Sequence, residues 1–557
     1  MSPSQRSKKT AGRKRTSASG KAAIAVMDTT LRDGEQTPDV AYSPAEKRQL
    51  ANLLLSDVAV DRIEIASTRV SEGEKEAARL VTEWARKNRK LNRVEMLGYT
   101  DGRASVDWIK EAGGEVLNLL TKGSELHCRQ QLGKTPEVHR RDVGTAMQYA
   151  NKKGLLVNAY LEDWSSGVRD SFDYVFAMVQ KLRECGVERI YLADTLGTQS
   201  PEDVTRYVGL MTSTWPDTCF EFHAHNDYAL ATANCMAAVR AGAQGVHTSV
   251  NGMGERAGNT RLAEVVAAIH DHTELRTGVN ESRLVAISNM VATFSGKEIS
   301  ANAPIVGRDV FTQTAGIHAD GDAKGDLYGT RLAPARFGRL RRYALGKLSG
   351  KASVDHNLKA LGIQLSPENR DLVLNRVIEL GDRKHTVSQE DLPYIIADVL
   401  KSPGEQLVRV DHYQVDVSTG NPPRAQVHLS YQGRVQEARS TGDGGYDALM
   451  RALRKAARPL ELEVATLTDY RVRIPPGGKT GALVETLISW QPTASSGSEE
   501  EGFSTLGVDS DQMAAAVIAT EKMLNAMIAR GAKQRRTQTR NRSNKKSRGK
   551  SSKPREK

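Results

Sequence analysis

Eight short apolar runs, each followed by an amphipathic stretch, constrain this chain of 557 residues more tightly than any other feature. The runs cover 23–27, 62–66, 94–99, 116–121, 155–161, 189–193, 219–223 and 245–250, and helical patterns such as 44–55, 72–90, 136–152, 201–214 and 230–241 lie between them. Such alternation builds a parallel sheet with helical crossovers. Eight repeats in about 250 residues suit a closed (β/α)8 TIM barrel better than an open doubly wound sheet.

A barrel carries its chemistry at the carboxyl ends of its strands, and the polar residues of this chain fall there. Arg32 and Asp33 follow the first run, Tyr160 and Glu162 the fifth, Asp194 and Thr195 the sixth, His223 and His225 the seventh, and Asn251, Glu255 and Asn259 the eighth. At i and i+2 of a strand, His223 and His225 point to one side and can hold one metal ion. Asp33 is the natural third ligand. Asn259 offers a carbonyl oxygen, although an N-cap opening the apolar helix after it is an equally good account. One carboxylate and two imidazoles with open positions suit a divalent cation acting as a Lewis acid; zinc, manganese and magnesium all fit, the nitrogen ligands favouring the first two. The loop Gly252-Met-Gly-Glu-Arg-Ala-Gly258 superficially suggests nucleotide binding, but its Gly-x-Gly-x-x-x-Gly spacing after the last of eight runs does not suit a dinucleotide fingerprint.

The length calls for further domains beyond the barrel. Residues 284–341 read as a linker subdomain, with a helix over 284–295 and a long loop over 305–321, and 342–402 as a helical subdomain. Residues 403–530 repeat a βββα pattern: runs 406–416, 425–431 and 435–439 before a helix over 446–457, then runs 469–474, 482–490 and 502–507 before a helix over 511–528. Two such halves would pack their helices on a shared sheet in a pseudo-twofold α+β domain. Free N–H groups where Gly442-Asp-Gly-Gly-Tyr-Asp447 opens the first of these helices suit a carboxylate.

The net charge of +12 belongs to the ends. Residues 1–21 carry +7 and 531–557 carry +11, which leaves 22–530 at −6. Both tails are almost free of apolar residues and are expected to be disordered, binding polyanions nonspecifically at most. The scattered Cys128, Cys185, Cys219 and Cys235 argue for a reducing, cytoplasmic setting, and no apolar run approaches membrane-spanning length.

Three segments carry a family resemblance: Asp28-Thr-Thr-Leu-Arg-Asp-Gly-Glu-Gln36, His223-Ala-His-Asn-Asp227 and Asn251-Gly-Met-Gly-Glu-Arg-Ala-Gly-Asn259. They resemble the signatures of the isopropylmalate, homocitrate and citramalate synthases, and the likeness extends from about Ile24 to Met527. Stretches such as Leu117-Asn-Leu-Leu-Thr-Lys-Gly123 and Tyr160-Leu-Glu-Asp-Trp-Ser165 resemble the citramalate branch in particular. The resemblance implies a Claisen-type acyl transfer from acetyl-CoA to a 2-oxo acid, pyruvate in that branch, followed by thioester hydrolysis. It implies a homodimer, and inhibition by an end-product amino acid, isoleucine in that branch, bound near Tyr446 and Asp447. A sister activity on 2-oxoisovalerate and a lyase running a related bond cleavage are the alternatives.

Set on that chemistry, Arg32 would stabilise the developing alkoxide and Thr195 the substrate carboxylate. Glu162 is the first choice for acid/base work and His318 the second, the latter reaching the site of a neighbouring subunit together with Asp320, Leu327 and Tyr328. Asp326 departs from the Asn that the resemblance leads one to expect. Leu97, Leu120 and Tyr160 would close the pocket around the methyl group of pyruvate.

Overall fold

The computed structural model describes residues 23–361, 363–382, 387–400, 408–473, 484–492 and 502–528. Both tails expected to be disordered lie outside the described residues. Eight parallel strands close on themselves in sequence order: β1 (Ala25–Asp28), β2 (Arg62–Ser67), β3 (Val94–Tyr99), β4 (Val116–Lys122), β5 (Leu156–Glu162), β6 (Ile190–Asp194), β7 (Phe220–Ala224) and β8 (Gly245–Thr248). β1 seals the ring against β8, with Ala25 opposite Gly245 and Asp28 opposite Thr248.

Local chemistry sets where the crossover helices begin. Ser43 and Glu46 form a capping box at Pro44–Asn52, and Ser200 and Asp203 do the same at Pro201–Thr214. Thr135 caps Pro136–Lys152. In each case the side-chain oxygen satisfies a free N–H, and proline occupies a first-turn position that needs no donor. The apolar faces of these helices and the outer faces of the strands share one continuous core, from Val26 and Leu50 round to Val246 and Ile269.

The barrel interior is unusual because much of it is charged. Arg62 lies between Glu95 at 2.9 Å and Glu221 at 2.5 Å; Tyr191 donates to Glu95 at 3.0 Å, and His247 faces Glu221 at 3.2 Å. All five side chains are buried. Charges this far from water persist only when paired, since removing one partner strands the other.

By compactness the chain divides into two units, the barrel with residues up to Phe311 and Thr330–Leu340, and a second comprising Thr312–Gly329 and Arg341 onward. The helix Leu284–Ser295 lies where the sequence places it. The expected loop over 305–321 is shorter, because Gly316–Ala323 is helical. Its first N–H donates to the Leu348 carbonyl, and Gly316 packs against Gly350 where a Cβ would lie 2.6 Å from the backbone nitrogen. Residues 342–400 are not helical throughout: Arg342–Tyr343 pairs with Thr312–Gln313 before the helices Lys351–Leu361, Pro367–Asp382 and Leu392–Leu400 pack around Val354, Val373 and Val377.

The βββα repeat is present as β9 (Arg409–Ser418), β10 (Asn421–Tyr431) and β11 (Arg434–Thr441) with the helix Gly445–Ala457, then β12 (Thr466–Arg473), β13 (Val484–Gln491) and β14 (Phe503–Asp509) with a helix over 512–528. The expectation of a shared sheet is corrected. There are two three-stranded antiparallel sheets, and the halves share a core in which Leu429, Leu453, Trp490 and Met523 are buried. Side chains from the second helix occupy the start of the first sheet: Asn525 accepts from the Val408 N–H at 2.9 Å and Glu521 from the Val410 N–H at 2.8 Å. Backbone donors satisfied this way have no need of a strand from the other half.

The charged interior predicts a large cost for breaking it. Arg62→Met should lower unfolding free energy by about 3–5 kcal/mol, because two buried carboxylates lose their counter-charge. Urea denaturation checks this, and a loss under about 1 kcal/mol would mean that the network does not hold the interior.

Candidate active site

The turn after β1 is wound tightly enough to bring Asp33 back over the strand ends. The Asp33 N–H donates to the Thr29 carbonyl at 2.9 Å, Asp28 accepts from the Thr30 N–H at 3.0 Å, and the Thr30 hydroxyl accepts from the Val250 N–H at 2.8 Å. Burial pushes the Asp28 carboxyl up to about 6 against those hydrogen bonds. Asp28 therefore organises the turn, and Asp33 faces the mouth.

Asp33, His223 and His225 converge as their spacing implies. One ligand atom from each lies within 4.8 Å of the others, and all three residues are buried. His223 Nε2 is 3.2 Å from Asp33 Oδ2 and 3.4 Å from His225 Nε2. Burial acts to raise the Asp33 carboxyl, but the Arg32 charge and then the two imidazoles outweigh it and hold it well below the usual range. Burial also pushes the His225 imidazole down to about 4, against the pull of Asp33. The site thus holds an ionised carboxylate and a neutral imidazole, the forms that ligate metal.

Asn259 lies beside the cluster. It bridges to His225 across a short antiparallel contact, its side-chain N–H2 donates to the Met253 carbonyl at 3.1 Å, and its Oδ1 is buried without a hydrogen bond. Both Asp33 oxygens and the Nδ1 atoms of both histidines are also buried without hydrogen bonds. Orphaned buried groups cost about 1–3 kcal/mol each, and the orphaned Asp33 oxygens beside the converging Nε2 atoms of His223 and His225 fit a cation. The N-cap alternative for Asn259 falls away, since Arg261 is the N-cap of Leu262–His272. The glycines of the preceding loop serve this geometry: a Cβ on Gly258 would lie 1.9 Å from the Gly252 carbonyl oxygen, and one on Gly254, at φ +154°, would lie 2.7 Å from Asn259 Nδ2.

Arg32 is clamped beside the ligands. Its Nε donates to Glu64 at 2.6 Å, one terminal nitrogen to the Tyr160 hydroxyl at 3.3 Å, and the other lies 3.5 Å from Asp33. Tyr160 is more than an apolar wall, since its hydroxyl also lies 3.3 Å from Glu64 and from His247 Nδ1. Leu97, Tyr160, Met27 and Tyr191 form their own small cluster inside the barrel, with Leu120 packed on it. The three expected pocket residues are thereby brought together. Thr195 is half-buried and its hydroxyl accepts from the Asp163 N–H at 2.9 Å.

Sequence reasoning missed two residues here. Glu64 points inward from β2 and braces Arg32, with Asn118 donating to its other oxygen at 2.7 Å. Lys122, the last residue of β4, forms an ion pair with Glu162, the last of β5. A polar residue interrupting an apolar parallel strand was the available signal for Glu64, whereas Lys122 stands at a strand end, where polar residues are ordinary.

The remaining expected residues belong to the second unit. His318 lies on Gly316–Ala323 with its ring 4.3 Å from that of Tyr328; Asp320 pairs with Lys324 at 2.7 Å, and Leu327 is 72% exposed. Asp326 has φ +54° and pairs with Arg341 at 2.5 Å, an intrachain use for a carboxylate where the resemblance predicts an amide. In the last domain the Tyr446 hydroxyl meets Thr520 at 2.7 Å, and Asp447 accepts from the Asp443 N–H at 2.9 Å while pairing with Arg451 at 2.9 Å.

Residues 23–291 match the family model described as HMGL-like, 305–385 the homocitrate synthase post-HMGL domain-like model, and 386–528 the LeuA allosteric (dimerisation) domain. The chain is 32% identical to "(R)-citramalate synthase CimA" of Methanocaldococcus jannaschii over 84% of its length and 92% of the relative. It is 33% identical to "Probable 2-isopropylmalate synthase" of Methanopyrus kandleri over 84% and 91%. An HMG-CoA lyase structure from Bacillus subtilis overlays 51% of the chain and 97% of its own at 19% identity and a TM-score of 0.45. The chain belongs to the acyltransferase family that holds the citramalate and 2-isopropylmalate synthases.

Asp33→Asn and His225→Ala should each weaken binding of a divalent cation by more than about tenfold while leaving the circular dichroism unchanged. Equilibrium dialysis with metal analysis measures this, and undiminished binding in either folded variant would remove the cluster as the metal site.

Proposed function

We propose that the protein condenses acetyl-CoA with pyruvate and hydrolyses the thioester, giving (R)-citramalate and CoA in a route to isoleucine. The observation that supports this reading is the grouping of Leu97, Leu120 and Tyr160 in one cluster beside Arg32; bulky side chains there suit a methyl group better than a branched chain. A divalent cation held by Asp33, His223, His225 and Asn259 would supply Lewis acidity at the keto group.

The chain's own residues account for the rest. Arg32, fixed by Glu64, presents charge where the ketone oxygen becomes an alkoxide, and a donor already in place costs no reorganisation. Thr195 hydrogen-bonds the oxo acid's carboxylate. The Glu162 carboxylate accepts a proton from the acetyl methyl group, and the electron pair of that C–H bond forms the new bond to the keto carbon. Water then adds to the thioester carbonyl, the C–S bond breaks and CoA leaves as the thiol. His318, with Asp320, Leu327 and Tyr328, acts from a second copy of the chain in a homodimer, as the match to the LeuA dimerisation domain supports.

The 33% relative named for 2-isopropylmalate supports the rival reading, in which 2-oxoisovalerate is the acceptor. A panel of 2-oxo acids with acetyl-CoA, read by thiol release, decides. Pyruvate should be preferred, and Leu120→Ala should raise the rate with 2-oxobutyrate relative to pyruvate by about tenfold, the worth of a methylene's space in an apolar pocket. A preference of the unmodified enzyme for 2-oxoisovalerate would defeat the pocket argument.

We also infer feedback inhibition by isoleucine at the last domain. Asp447→Ala should weaken inhibition at least about fivefold with the uninhibited rate unchanged, a coupling loss of about 1 kcal/mol. Stronger inhibition by leucine than by isoleucine in the same titration would transfer the assignment to the sister enzyme.

A further inference from the structure

We propose that Lys122 is a positioning residue for the reaction, holding the Glu162 carboxylate in one place at the carboxyl ends of β4 and β5. The inference rests on the role given to Glu162 above and adds a residue that this role requires.

The two side chains are register partners at the last positions of β4 and β5, so neither depends on a flexible loop for its placement. Lys122 is 8% exposed and Glu162 22%, which makes the ammonium the more desolvated of the pair. An isolated lysine so placed would be costly, and a partner charge removes that cost. The backbone beyond both residues is locked. The Gly123 N–H donates to the Glu162 carbonyl at 2.6 Å, and a Cβ on Gly123 would lie 2.9 Å from both the Leu161 carbonyl and the Trp164 Cα. A Cβ on Gly167 would lie 1.8 Å from the Gly123 carbonyl oxygen, so the helix Trp164–Asp170 rests directly on that peptide.

The turn on the other side is equally constrained. Asp163 holds φ at +59°, a costly conformation for a residue other than glycine, and keeps it because Thr195 accepts from its N–H and Ser124 donates to its carboxylate at 2.7 Å. From behind, the Tyr174 hydroxyl donates to the Lys122 carbonyl at 3.2 Å and itself contacts His139. The titratable and charged groups packed around this corner are therefore Asp163 and His127 on the adjoining turns, Tyr174 and His139 behind β4, and Arg256, which donates to the Thr195 carbonyl. His127 is drawn to Asp163 and Arg256 to Asp227, which leaves Lys122 as the cation directly on Glu162.

A carboxylate can take the methyl proton only when its oxygen is held within reach of it. The Lys122 ammonium fixes that oxygen across the β4–β5 pair, and without it the side chain is free to turn away from the reacting methyl group. The test uses the full-length, metal-loaded enzyme and follows thiol release against oxo-acid concentration for Lys122→Met, Lys122→Gln, Lys122→Arg and Glu162→Gln, with melting curves for each. Expected for Met and Gln is a kcat lower by at least about tenfold with KM for the oxo acid little changed. Arginine, which keeps the charge, should restore most of kcat. An unchanged kcat in either folded variant overturns the proposal, and a chain that folds with neither Met nor Gln makes the pair structural and overturns it too. Near-normal turnover of Glu162→Gln would instead refute the role of Glu162 itself, whatever the lysine variants do.

Discussion

Arg32 lies between two buried carboxylates, Glu64 at 2.6 Å and Asp33 at 3.5 Å, and the arrangement of the barrel mouth depends on that wedge. One guanidinium meets two requirements that would otherwise conflict. It keeps Asp33 ionised in a place where burial alone would protonate it, and it remains fixed because Glu64 and Tyr160 take its other nitrogens. An ionised Asp33 with no hydrogen bond to satisfy it is a ligand waiting for a cation. Replacing Arg32 by lysine would lose the fork that reaches three partners at once.

The wedge is the upper end of a longer chain of buried charge. From Glu64 the contacts run through the Tyr160 hydroxyl to His247, from His247 to Glu221, and from Glu221 to Arg62 and Glu95. In a barrel whose interior is filled with aliphatic layers the mouth can drift as side chains repack. Here each polar group has a directional partner, so the orientation of Tyr160 and Arg32 is determined from below as well as from the loops. Such rigidity comes with risk, because a single lost partner leaves a desolvated charge, and that explains why the polar set inside the barrel is so completely paired.

The fold was legible in the sequence because its signals are local. Strand length, capping serines and the prolines after them lie within a few residues of one another, and the eight strands fall within two or three residues of the apolar runs. His223 and His225 were legible for the same reason. Glu64 and Lys122 were not, because their meaning comes from partners on other elements, 32 residues away at Arg32 in the turn after β1 and 40 away at Glu162 on β5. The splitting of the last domain into two sheets was hidden likewise: Asn525 takes the Val408 donor from 117 residues further along the chain. Asp326 shows the converse, a departure from expectation whose partner, Arg341, lies outside any motif.

Charge at the mouth bears on what can be held there. Arg32 and Lys122 stand against Asp33, Glu64 and Glu162, a balance of −1 with the imidazoles neutral as metal ligation requires. With the proposed divalent cation in place the balance becomes +1, and a 2-oxo acid carrying a single carboxylate brings it to zero. Arg256 stands at the same rim with its charge met by Asp227 at 2.8 Å, so that pair leaves the balance unchanged, and the balance matters because an uncompensated charge among the buried groups of the mouth costs several kcal/mol.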